Sequence, residues 1–139
     1  MKVSKAMTRW VGVVLLISAV PALSGNWNVP TEAKFLQNPV ARTAKSQATG
    51  KEIFATRCVA CHGPQGAGNG KQARVEYDLR DILAELTDGE LFWKITHGVG
   101  RMPSYAGALS DQERWLMVNH LRSLSEARTH GAAGRAADK

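Results

Sequence analysis

At 139 residues, with 18 Lys and Arg against 12 Asp and Glu, the chain has the length of one domain and a net charge of +6. Three of the basic residues, Lys2, Lys5 and Arg9, stand at the extreme N-terminus; without them fifteen basic residues face twelve acidic ones. So small an excess excludes the strong basic patch of a nucleic-acid binder and suits a soluble protein that meets charged partners.

Those N-terminal charges precede an uncharged apolar run, Trp10 to Val20, then Pro21 and Ala22-Leu23-Ser24. Positive n-region, apolar core and small-residue site together predict a secretory signal peptide over residues 1–24, cut before Gly25. A retained N-terminal anchor is the alternative and the only membrane contact expected, but crossing the hydrocarbon takes roughly 20 apolar residues. The protein is therefore expected to work in the periplasm.

Residues 25–45 read as an irregular lead-in, with Pro30 and Pro39 discouraging helix and Trp27, Phe35 and Leu36 available to pack it onto the domain. Residues 46–125 are the compact part. "SQATGKEIFATRC" predicts a short helix that delivers Cys58, and "DLRDILAEL" (Asp78 to Leu86) another. "TDGE" at Thr87 is a capping box opening a helix that carries Leu91, Phe92 and Ile95 and stops at Gly98. "SDQE" at Ser110 opens the last helix, with Trp115, Val118, Leu121 and Leu124 as its apolar stripe. Residues 126–139 have no apolar periodicity and are expected as a flexible tail. No stretch alternates with period two, so the fold class is all-α. About 80 residues with few aromatics make a small core, so something further should fill the middle.

The two cysteines lie three apart in "ATRCVACHG", with His62 directly after Cys61. A Cys58–Cys61 disulfide would staple little, and a redox CxxC belongs to a strand-rich fold. Zinc needs four ligands, and His97, His120 and His130 are scattered. Haem uses all three residues: cysteines about one helical turn apart reach the vinyl edge of one porphyrin, and the next histidine ligates the iron. An exported protein also meets c-type maturation. One covalent haem c with its iron is the expected cofactor, with Cys58 and Cys61 as thioether anchors and His62 as proximal ligand.

For the sixth position the candidates are Met102, His97 and His120. Met102 lies in a glycine-rich loop, "GVGRMPSYAG", backed by Pro103. Core filling explains a methionine there badly, whereas Met117 in the last helix reads as filler. Met102 is therefore the expected axial ligand, His97 an exposed helix-end residue, and His120 a packing histidine.

Cys58-Val59-Ala60-Cys61-His62-Gly63, Met102-Pro103, Trp115 and "VNHLRSL" together resemble the class I cytochrome c family of the small bacterial monohaem kind, over Gly50 to Leu124. The resemblance implies a helical fold around one haem, with first and last helices crossing at Gly50 and Phe54. It departs at His120, where the family commonly has an aromatic residue. Leu79, Leu83, Phe92, Ile95 and Leu109 are candidate haem-lining residues, while Trp93 and Tyr105 read as ordinary packing. The expected function is one-electron transfer between a redox protein donor and an acceptor, with Lys51 and Lys71 steering the partner. Alternatives are a cytochrome subunit of a larger oxidoreductase, with the lead-in as docking arm or loose end, and a haem enzyme or gas sensor with an open sixth position.

Overall fold

The computed structural model describes residues 28–73 and 78–137, with side chains up to Arg128. The expected signal segment and Trp27 lie outside the described residues. A 3-10 turn, Thr31–Phe35, is followed by α1 (Ala44–Arg57), α2 (Val59–His62), α3 (Leu79–Ile82), α4 (Asp88–His97) and α5 (Asp111–Ala137). The described residues contain no strand beyond an isolated Val99–Met102 bridge, so the fold is all-α.

Local sequence sets the helix starts. Thr87 and Glu90 form the expected box at α4, the Glu90 amide donating to the Thr87 hydroxyl and Glu90 accepting from the Thr87 amide at 2.8 Å. Ser110 and Glu113 do the same for α5. α1 starts two residues before the expected stretch, because Thr43 and Ser46 form a third reciprocal cap. α3 keeps only one turn of its predicted length; Asp78 caps it through the Arg80 amide, and the chain then turns through residues 83–85.

α1 crosses α5, burying Ser46, Gly50 and Phe54 at four-residue spacing. α5 is the central element. Its buried residues are Trp115, Met117, Val118 and Leu121, as a helical stripe requires, but also Arg114, Asn119 and His120. The apolar members form one core with Phe54, Cys58, Leu83, Leu91, Ile95 and Leu109; each large side chain fully buried there contributes about 1.5–3 kcal/mol. α5 also runs to Ala137, past Ser125 where the apolar stripe ends, through the segment expected as a flexible tail. A helix already nucleated by packing extends without a second nucleation step into a proline-free segment with several alanines, against the unfavourable propensity of Gly131 and Gly134.

The lead-in is tied to its own domain. Asn119, 1 % exposed, donates through Nδ2 to the Val40 carbonyl (3.1 Å) and the Ser46 hydroxyl (3.2 Å), and accepts from Asn38 Nδ2 (3.0 Å). Ala33 is buried, and Lys34 pairs with Glu90 at 3.8 Å. Phe35 and Leu36, expected to pack, are exposed instead, because the 3-10 turn presents Ala33 to the domain.

Candidate functional site

Cys58 joins two helices, ending α1 with its amide on the Phe54 carbonyl (2.9 Å) and starting the single turn of α2. The amides of Cys61 and His62 both donate back to the Cys58 carbonyl, at 3.1 and 2.9 Å. Beyond Gly63 the chain folds over the turn: the Gly68 amide donates to the His62 carbonyl, Gly70 to Cys61 and Gln72 to Ala60. With its end carbonyls bonded internally, the Cys58–His62 turn is held as a rigid unit.

Both thiols are free, and they differ in surroundings. Cys58 is buried, its Sγ 3.4 Å from Met117 Sδ, whereas Cys61 is exposed. Burial, and then the neighbouring Cys61, push the Cys58 thiol up to about 12, so it stays protonated at neutral pH. His62 is half-buried, and burial lowers its pKa, favouring the neutral imidazole that a metal requires.

The Met102 loop leaves α4 at Gly98, whose φ is +61°. A Cβ there would lie 2.4 Å from the Met102 carbonyl oxygen, so the chain can double back only at a glycine. The Met102 amide donates to the Val99 carbonyl at 3.0 Å, and the half-buried Met102 side chain packs against the core cluster that contains Cys58. Ser104 Oγ donates to the Thr96 carbonyl at 2.7 Å, and the Tyr105 hydroxyl donates to the Arg57 carbonyl at 3.0 Å. Tyr105 is thus a tether between loop and cysteine turn, a role that packing alone did not suggest.

Of the expected lining residues, Leu83, Ile95 and Leu109 are buried in this cluster and Leu79 and Phe92 pack half-buried against it. The structure brings Cys58 and Met102 to one apolar body, leaves His97 at the surface and packs His120 on Phe54 at the helix crossing. His97 is exposed at the end of α4, its Nδ1 2.9 Å from the Trp93 carbonyl and its ring stacked on Trp93. His120 lies in the α1–α5 crossing, edge-on to Phe54 at 5.2 Å, and its Nε2 is buried without a hydrogen-bond partner. Arg114 escaped sequence reasoning: a cation at a stripe boundary carries no signal of burial. The donor set fits haem c: two unpaired thiols one turn apart, a neutral-leaning imidazole beside them, and a thioether on the same apolar cluster.

A family model described as cytochrome c oxidase, cbb3-type, subunit III matches residues 45–121, more than half of the chain. The chain belongs to the class I monohaem cytochrome c family. Cytochrome c6 of Thermostichus vulcanus is 28 % identical over 83 residues, 58 % of this cytochrome and 72 % of that protein. Cytochrome c6 of a Picosynechococcus species is 32 % identical over 77 residues, 50 % of this cytochrome and 66 % of that one. A solved chain of the Kuenenia stuttgartiensis reducing HAO-like protein complex superposes with a TM-score of 0.54 at 25 % identity. That match covers 64 % of this cytochrome, which spans about half (49 %) of the other chain. This cytochrome carries one covalently bound haem c with its iron and is an electron carrier. No helix among the described residues is long and apolar enough to cross a membrane.

Proposed function

We propose that this cytochrome is a periplasmic one-electron carrier in which Cys58 and Cys61 hold the haem by thioether bonds and His62 and Met102 are its axial ligands. The observation that carries the reading is the packing of Met102, from a polar loop, onto the same apolar cluster as Cys58. When bound, the haem supplies a one-electron iron couple whose potential a thioether ligand raises. The chain's own residues do the rest. Burial keeps His62 in its ligating form, and Leu83, Ile95 and Leu109 exclude water and disfavour the more highly charged ferric state. The exposed position of Cys61 leaves one anchor edge at the surface for a partner, with exposed Lys51 and Lys71 to steer acidic redox proteins into transient contact. The basic, apolar and small-residue order of residues 1–24 supports export.

A second reading, a subunit of a larger oxidoreductase, draws on the likeness to a chain of a multi-protein complex. Co-purification from the native membrane and soluble fractions separates the two: a free carrier elutes alone, and a subunit elutes with its complex.

The ligand reading is tested by the spectrum of the matured protein. Expected are a weak near-infrared sulfur-to-iron band in the ferric form, lost in Met102→Ala, and no spectral shift when carbon monoxide is added to the ferrous wild type. A wild type without that band and with ready carbon monoxide binding has an open iron, and the enzyme or sensor reading replaces this one.

A further inference from the structure

Arg114 is 5 % exposed, an unusual place for a guanidinium. Its Nη1 donates to three carbonyls of one loop, Tyr105 and Ala106 at 3.3 Å and Leu109 at 2.7 Å, while Nη2 pairs with Asp111. The guanidinium lies over the Phe92 ring, 5.1 Å from its centroid, and Phe92 stacks on Trp115 at 4.1 Å. The cation is therefore fixed from α4 and α5 together. The residues it grips are the C-terminal half of the Met102 loop, which has no regular structure of its own beyond short turns. On the other side of that grip the Tyr105 hydroxyl reaches the Arg57 carbonyl, one residue before Cys58, and the Tyr105 amide donates to the Ile95 carbonyl at 3.2 Å.

We propose that Arg114 and Tyr105 form a two-point clamp that positions Met102: the buried guanidinium gathers the loop carbonyls onto α5, and the phenol hydroxyl pins the loop to the turn bearing Cys58. This rests on Met102 being the sixth ligand. A methionine delivered by a loop stays on a metal only as far as the loop's alternatives are closed, because every detached conformer competes with the bound one. Among the described residues Asp111, itself exposed, is the only acidic side chain paired with Arg114, so the burial of this charge is supported chiefly by backbone dipoles. Holding the loop is what that placement accomplishes.

Exogenous imidazole, titrated into the ferric holoprotein, reads the clamp through its competition with Met102. Arg114→Met is expected to bind imidazole about tenfold more tightly than wild type, Tyr105→Phe about threefold, and Arg114→Lys between Arg114→Met and wild type. In the Met102→Ala background Arg114→Met adds nothing, since the clamp acts through Met102. Should Arg114→Met fail to fold, Tyr105→Phe, which deletes one hydroxyl, decides alone. A wild type that lacks the sulfur-to-iron band overturns the ligand reading and this inference together. A wild type that has the band, with variants of unchanged imidazole affinity or with the Arg114 effect persisting in Met102→Ala, overturns the clamp and leaves the ligand reading standing.

Discussion

Gly50 of α1 and Leu116 of α5 touch backbone to backbone: a Cβ on Gly50 would lie 2.0 Å from the Leu116 carbonyl oxygen and 3.0 Å from the His120 Cβ. The crossing of first and last helices is set by this contact, because no side chain intervenes. It also sets where α1 ends, and so where Cys58 meets Met117.

Gly50→Ala therefore forces the two helices apart. We expect a loss of about 3 kcal/mol, a fall in thermal midpoint of roughly 10 °C or more, and little change in the haem spectrum of the protein that remains folded. Thermal unfolding of the holoprotein, followed by circular dichroism, measures it. A midpoint within a degree or two of wild type would mean that the helices slide without cost.

Asn119 ties the lead-in down with bonds to Val40 and Ser46 and one from Asn38. Asn119→Leu leaves those partners unmet in a buried setting, at a cost of about 2–4 kcal/mol. The specific consequence is local: limited proteolysis should cut between Asn38 and Thr43 in the variant well before the helices, and should not do so in wild type.

His120 gives stability an acid limb. Burial, and secondarily the charge of Lys51, lower its folded pKa, while the unfolded value stays at about 6.5. As pH falls below about 6.5 the unfolded chain takes up the proton first. The contribution is thus complete above that value and is lost as pH drops towards the folded pKa. His120→Phe removes both this limb and the unpartnered Nε2 while retaining a ring against Phe54. Denaturant unfolding at a series of pH values should find the variant more stable by about 1 kcal/mol at pH 7 and flatter towards acid.

Met102→His exchanges a soft thioether for imidazole. The reduction potential of the holoprotein should fall, and redox titration against mediators reads the change. A potential equal to that of wild type would place the sixth ligand outside the 98–109 loop.

The proposed haem attachment is legible in "CVACH" because such attachment is a local event: two thiols and an imidazole need only one helical turn to act together, and the chain forms that turn over Cys58 to His62. The same holds for the α4 and α5 starts, whose caps satisfy backbone groups within four residues of one another. Helical periodicity likewise located Trp115, Val118 and Leu121. It could not foresee that Arg114, Asn119 and His120 would be buried too. A polar residue is buried when distant groups arrive to satisfy or cover it, and here those groups come from the 105–109 loop, the lead-in and α1 respectively. For the same reason apolar spacing does not describe the buried face of α1: two of its three buried positions are Ser46 and Gly50, suited to hydrogen bonding and close approach. Sequence alone determined the candidate haem-binding residues and the starts of α4 and α5, through short-range bonds. Which side chains face one another across the crossing, and what holds the methionine loop against the cysteine turn, only the packing of distant segments could decide.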